Sequence, residues 1–146
     1  MPPNEIVVDE SHFPLVFLTL PARVDADTVT AFSARYNRML ERERRFVNVT
    51  DATLVVDRPP ATVRKLLADW SRDNDERMVR LSCGDARVVR SAIIRGAMTA
   101  VLWLHKPKVS QEWFSSMDDA VSWAIHQLDA AQVAIPPEVR SHFTKR

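Results

Sequence analysis

Residues 15–40 read LVFLTLPARVDADTVTAFSARYNRML, and the spacing of their apolar side chains changes once along the stretch. The first six residues are strand formers, as are residues 6–8 before them, so the chain begins with a predicted β-hairpin. From Asp25 the apolar residues recur every three or four positions, which predicts a helix capped by Asp25 or Asp27. A hairpin followed by a helix is typical of an α/β domain with a mixed sheet.

The rest of the chain continues the alternation of strands and helices. Residues 46–51 (FVNVTD) predict a strand, and a second helix is predicted from Pro60 to a point near Asn74. A final helix is predicted after the cap-like pair Ser115-Ser116. The order predicts a mixed, largely parallel five-stranded sheet with an N-terminal hairpin and about four helices packed on it.

Between the second and the last helix, the spacing predicts a strand over residues 78–83 and a third helix from Asp85. Residues 99–104 (TAVLWL) are apolar on both sides of a pleat, so we predict a fifth strand there, with Trp103 in the core.

Length and composition indicate a single ordinary domain. The chain has 146 residues, a formal net charge of +1 and 46% apolar residues, which predicts one domain over residues 1–135 and a tail over residues 136–146. No segment near the start resembles a secretion signal, and no apolar run approaches the roughly 20 residues of a membrane span. We therefore expect a cytoplasmic protein without membrane insertion.

The residue types exclude several kinds of site. Two glycines allow no Gly-rich phosphate loop, and the single cysteine, Cys83, allows neither an internal disulfide nor a Cys-based zinc site. The four histidines lack the i, i+4 spacing of a helical metal pair. We expect no cofactor, no metal and no enzymatic activity, with catalysis by Cys83 or a histidine as the alternative.

Charge is unevenly distributed along the chain, although the near-neutral total predicts no nucleic-acid binding. Residues 75–108 carry seven Lys or Arg against three acids, whereas residues 109–139 carry five acids and no Lys or Arg. The favoured interpretation is that the two segments form differently charged, solvated faces of one domain. The basic residues could instead receive a phosphate-bearing ligand or an acidic protein surface; they are Arg87, Arg90, Arg95, His105, Lys106 and Lys108.

Two segments carry a resemblance to a known family. They are the strand Val47-Asn-Val-Thr-Asp51 and the opening of the last helix, Phe114-Ser-Ser-Met-Asp-Asp-Ala-Val-Ser-Trp123. Together with the order of elements, they make residues 6–130 resemble the SpoIIAA-like branch of the STAS superfamily. The resemblance implies a regulatory module that binds another protein.

In anti-sigma-factor antagonists of that superfamily, a Ser or Thr in an Asp-Ser-Ser/Thr-Gly turn is phosphorylated to switch binding. Carried over by residue, the resemblance makes Asp51 the turn aspartate and Thr53 the phosphoacceptor, but Leu54 replaces the glycine. Thr62 is a second candidate acceptor, because it lies in the first turn of the predicted second helix. Arg58 and Arg64 lie close to it in sequence and could contact its phosphate.

Trp113 and Phe114 are the aromatic candidates for a contact with a partner protein. Alternatively, they pack at the start of the last helix and fix it to the domain. The leading functional hypothesis is a regulatory or scaffold domain that binds another protein, or a second copy of itself. The alternative is a small-ligand or lipid-binding domain of the same fold, which an apolar pocket beside the loop from Asp51 to Pro60 would favour.

Overall fold

In a computed structural model, which describes residues 4–144, the chain forms a five-stranded sheet with helices on both faces. The elements in chain order are β1 (Val7–Asp9), β2 (Leu15–Thr19), α1 (Ala26–Leu40), β3 (Phe46–Asp51), α2 (Ala61–Asp73), α3 (Asp75–Leu81), β4 (Ser82–Val88), α4 (Ala92–Leu104), β5 (Gln111–Phe114), α5 (Met117–Ala130) and α6 (Pro137–Thr144). The strands follow one another across the sheet in this order. β1 is antiparallel to β2, and all other neighbours are parallel.

The first half of the chain and the last long helix match the sequence predictions. The hairpin, α1, β3 and the end of α2 at Asn74 are confirmed. The Asp25 carboxylate caps α1 by accepting from the Thr28 N–H at 2.8 Å. Ser116 caps α5 in the same way, with its hydroxyl 3.1 Å from the Asp119 N–H. The mixed, largely parallel five-stranded sheet is confirmed as well.

Most of the boundaries predicted for residues 75–108 are wrong. Residues 78–81 belong to helix α3, and β4 runs over Ser82–Val88. The third helix, predicted from Asp85, therefore begins only at Ala92, as α4. Residues 99–104 are the second half of helix α4, and the fifth strand is Gln111–Phe114. A helix that is apolar all round has the same pattern as a strand buried on both faces, so periodicity cannot separate them. Trp103 is 82% exposed instead of buried in a core.

The described residues form six helices instead of about four, because α3 and α6 were not predicted. α6 lies in the segment predicted as a tail. It buries Val139 and brings the Phe143 ring to 5.5 Å from the Phe17 ring of β2. Helix α6 is therefore packed on the domain.

The strand order decides which helices share a face of the sheet. Right-handed crossovers between successive parallel strands place the connecting helices on the same face. α1, α2 and α4 lie on that face, whereas α5 and α6 cover the other. Gly84 of β4 allows the close approach of α5, because a Cβ there would lie 2.7 Å from the Trp123 ring. Its φ of 156° is also one that other residues rarely adopt.

The core under α5 and α6 is apolar throughout. Every second residue of the inner strands points its side chain into this core. Its buried members include Leu15, Val47, Val49, Ala86, Val88, Ala124 and Leu128. The residues between them on β3 and β4 point to the opposite face, where the composition is different.

Candidate functional site

A pocket of about 200 Å³ lies between the sheet and the helices α1, α2 and α4. Its walls are mainly apolar and include Leu18, Phe32, Leu67, Ile94, Ala97, Met98 and Val101. Val55 and Pro59, from the loop between β3 and α2, contribute to the same wall. Concave sites of this kind, apolar with a few convergent polar groups, are where small molecules bind to proteins.

The floor of the pocket is polar. Asn48 and Thr50 of β3 and Asp85 and Arg87 of β4 all line it. Strands covered by helices on both faces are normally apolar on both faces, as these two strands are toward α5. Four polar residues in neighbouring positions of a covered sheet therefore need an explanation other than packing.

The charged groups of the floor neutralise each other. Arg87 Nε lies 2.9 Å from Asp85 Oδ2, and both side chains are about 15% exposed. The Thr50 hydroxyl donates to the other oxygen of the same carboxylate at 3.0 Å. The Arg87 guanidinium also lies 5.4 Å from the centre of the Trp113 ring, close enough for a cation–π contact. The ion pair is thus held from several sides.

A second polar pair, Asn48 and Tyr36, is almost completely buried beside the ion pair. The Asn48 side-chain amide donates to the Tyr36 hydroxyl. The Asn48 Oδ1 atom is buried and accepts no hydrogen bond from any residue in the described range 4–144. A buried acceptor without a donor costs about 1–3 kcal/mol. A bound molecule that supplies an O–H or N–H donor to this atom would remove that cost.

Burial raises the pKa of the Tyr36 phenol well above its ordinary value of 10.0, and the nearby Asp85 charge acts in the same direction. The hydrogen bond from Asn48 opposes this shift without cancelling it. The phenol therefore stays protonated in the folded protein across the physiological pH range, and it remains a hydrogen-bond donor.

Tyr36 is the sole tyrosine of the chain, so its ionisation can be followed directly. We expect no tyrosinate absorbance until the protein unfolds. Because the folded pKa exceeds the unfolded one, the stabilisation is complete below pH 10 and falls above it by about 1.4 kcal/mol per pH unit. Denaturant titrations at several alkaline pH values should show this slope, and Tyr36→Phe should remove it. Tyrosinate absorbance in a protein that is still folded would contradict the burial of this phenol.

The rim of the pocket carries a contact between a histidine and an aspartate, and a single arginine. His105 Nε2 lies 2.6 Å from Asp75 Oδ2, although the two groups are not aligned for a hydrogen bond. Arg64 of α2 also lines the pocket and donates to the Pro59 carbonyl at 2.7 Å. The rim thus brings together residues from α2, α3 and the end of α4.

The residues predicted as a phosphorylation turn are not part of the pocket lining. Asp51, at the end of β3, accepts hydrogen bonds from the Thr53 backbone at 2.9 Å and from its hydroxyl at 2.7 Å. Thr53 therefore closes a local turn. Thr62 and Arg58 are exposed near the start of α2. Of the residues predicted for the phosphorylation turn, its phosphate and the aromatic contact, only Arg64 contributes to the pocket. From the predicted basic group, Arg87 and His105 line it as well.

The two predicted aromatic anchors lie on opposite faces of β5. Trp113 is half-buried, with the Arg87 and Arg95 guanidinium groups 5.4 and 5.2 Å from the centre of its ring. Phe114 is half-buried on the other face, and its ring centre lies 6.0 Å from that of Trp123 in α5. The structure does not bring the two together as one exposed surface.

The polar floor was not predicted from the sequence. A usable signal was present in β3, where Asn48 and Thr50 alternate with valines on a strand that helices were expected to cover. No comparable signal marked Asp85, because its strand was predicted at residues 78–83. Arg87 was named only as one of the basic residues that could receive a phosphate-bearing ligand or an acidic protein surface.

Other kinds of site find little support in residues 4–144. This range contains no group of three or more His, Cys, Asp or Glu side chains suited to hold a metal ion. Burial raises the pKa of the Cys83 thiol, and the nearby Arg45 opposes this shift only in part. Such a thiol is a poor nucleophile near neutral pH. None of the helices described has the length and apolar character needed to cross a bilayer.

Comparisons of the chain with protein-family models and with curated proteins gave no match. The resemblance to SpoIIAA-like STAS domains and the cytoplasmic location therefore stay predictions.

Proposed function

We propose that this domain binds a small amphipathic molecule in the pocket between its sheet and helices α1, α2 and α4. One observation carries the proposal: Asn48 lines an apolar cavity, and its buried Oδ1 atom accepts no hydrogen bond from residues 4–144. Val55 and Pro59 in its wall also support the proposal, because a pocket beside the loop that follows Asp51 is the feature expected to favour a ligand-binding domain.

The floor chemistry favours a ligand with an uncharged, hydrogen-bond-donating head. Arg87 and Asp85 already neutralise each other, so an ionised head placed at the floor would lose its hydration without gaining a free counter-charge there. A hydroxyl or amide N–H would instead satisfy Asn48 Oδ1 at little desolvation cost. The size also fits a small molecule, since an apolar cavity of about 150 Å³ is enough for benzene.

The test compares three probes with the same six-carbon chain: 1-hexanol, hexanoate and hexylamine. We expect only hexanol to raise the melting temperature, by RT ln(1 + [L]/Kd), because its head alone is uncharged at neutral pH. Asn48→Leu should weaken hexanol binding about 5-fold, the equivalent of one net hydrogen bond of about 1 kcal/mol. Equal effects of all three probes, or no effect of any, would contradict the proposed ligand class.

A second candidate function is a non-enzymatic regulatory domain that binds another protein and is switched by phosphorylation. The exposure of Thr62 in the first turn of α2 favours it. Pro60 provides no side-chain cap there, and the first turn contains no acidic residue. A phosphate on Thr62 would meet open backbone N–H groups and the positive end of the helix dipole.

The two candidate phosphoacceptors differ in how they should tolerate negative charge. Thr62→Asp should raise the melting temperature by about 1–3 °C, because an acidic residue in a first helical turn contributes about 0.3–1 kcal/mol. Thr53→Asp should lower the melting temperature by about 3 °C, since it removes the hydrogen bond to Asp51 and adds a like charge beside it. Thermal unfolding of both variants decides between the two acceptors. If both substitutions lowered the melting temperature equally, Thr62 would not be the better phosphoacceptor.

A further inference from the structure

Helix α4 is apolar on its outer side as well as on the side that lines the pocket. Ile94 and Ala97 are buried inward, whereas Ile93 is 69% exposed, Trp103 82% and Leu104 50%. A helix that is apolar all round is normally buried on all sides. In the described part of the chain, no other element covers the outer side of this helix.

The outer residues form a continuous stripe. Ile93, Gly96, Ala100 and Trp103 follow one another at spacings of three, four and three residues, which places them on one side of a helix. A Cβ added to Gly96 would meet no atom within 4 Å, so the stripe is open at its centre. We call these four residues together with Leu104 the outer face of α4.

Positive charge surrounds the outer face. Residues 86–111 include five Lys or Arg and no Asp or Glu. Arg90 precedes α4, Arg95 lies on it, and Lys106 and Lys108 follow it; all four are exposed. The ion pairs formed within residues 4–144 do not involve these four side chains. The positive charge of this region therefore remains available to an anionic partner.

We propose that the outer face of α4 docks on the surface of an anionic lipid bilayer, with the helix lying in the plane of the interface. Helices of this kind combine an apolar side, often with a Trp, with Lys and Arg that contact acidic headgroups. Docking of this type needs no spanning helix. The proposal is independent of the ligand in the pocket, because it uses the opposite side of α4.

Charge also argues against a second copy of this chain as the occupant. A symmetric dimer through α4 would bring each copy's outer face against its counterpart and concentrate like-charged residues around the contact. An anionic bilayer is extended and carries the opposite charge, so it can engage Arg90, Lys106 and Lys108 at the same time as the apolar stripe.

The experiment is flotation of the full chain with vesicles of phosphatidylcholine alone or mixed with phosphatidylserine. We expect binding to the mixed vesicles, weaker at high salt, and little binding to phosphatidylcholine alone. The triple variant Arg90→Gln, Lys106→Gln, Lys108→Gln should lower the partition coefficient about 100-fold. Trp103→Ser should lower it about 10-fold, because it removes the largest apolar contact.

Val7→Ser provides the matched control, since it replaces an exposed apolar residue in the edge strand β1, and it should bind like the original chain. All replaced side chains are exposed, and thermal unfolding will verify that each variant is folded. Equal binding to both vesicle types would overturn the proposal. So would vesicle binding that neither the triple variant nor Trp103→Ser weakens. Two other results would also overturn it: a Trp103-dependent dimer without vesicle binding would assign the face to a second copy, and binding to polyglutamate but not to vesicles would assign it to an acidic protein.

Discussion

Arg87→Met should lower the melting temperature of this protein by about 10 °C. The substitution keeps most of the apolar volume of the side chain but leaves the Asp85 carboxylate without its cation in a site that is about 15% exposed. Removing one partner of a buried ion pair typically costs about 3–5 kcal/mol. For a chain of this size, about 3 kcal/mol corresponds to a shift of about 10 °C, which a thermal melt followed by circular dichroism measures easily.

The double variant Asp85→Asn, Arg87→Met is the control for this prediction. It removes both charges together, and the amide of Asn can still accept the hydrogen bond from Thr50. We expect most of the lost stability to return, because replacing both ions of a buried pair is often neutral or stabilising. If the double variant were as unstable as Arg87→Met, the loss would come from the contact of Arg87 with Trp113 and not from an uncompensated charge.

Ala97→Phe should abolish the binding of hexanol while leaving the fold intact. Ala97 is 5% exposed and lines the pocket from α4, so a phenyl ring at this position would occupy the space proposed for the ligand. We expect the affinity for hexanol to fall at least about 100-fold, the equivalent of about 2.7 kcal/mol. The free protein should change in stability by less, because the new ring enters an existing cavity.

Ala92→Phe, in the exposed first turn of the same helix, is the matched control. It introduces the same ring into α4 but away from the pocket, and it should bind hexanol like the original chain. Native mass spectrometry and thermal shifts measure both variants. Undiminished hexanol binding by a folded Ala97→Phe protein would place the ligand outside this pocket and would remove the main support for the proposed function.

Periodicity predicted the elements that are apolar on one side. In α1 the side chains of Val29, Phe32 and Tyr36 repeat at helical spacing and are buried against the protein, so both the helix and its buried side could be predicted. β3 alternates as a strand does, and the caps at Asp25 and Ser116 are local hydrogen bonds that depend on a few adjacent residues. These features need no information from distant parts of the chain.

Prediction failed where a segment is apolar in every direction or too short to show a period. α4 gives no indication of which side faces the protein, because its outer face is as apolar as its inner one. Its misassignment as a strand displaced β4 and β5 in the prediction. It also concealed that Asp85 and Arg87 lie on the same side of the sheet as Asn48 and Thr50.

The sequence alone determined the strand-forming and helix-forming segments of the first half, the mixed character of the sheet and the polar alternation along β3. Only the tertiary structure decided that Asn48, Asp85, Arg87 and Tyr36 share one cavity and that Trp103 faces solvent. Local preferences act over a few residues, whereas a pocket depends on the register of β3 against β4 and on how closely α4 approaches α2. Those quantities are set by packing between segments far apart in the chain, which the periodicity of any single segment cannot encode.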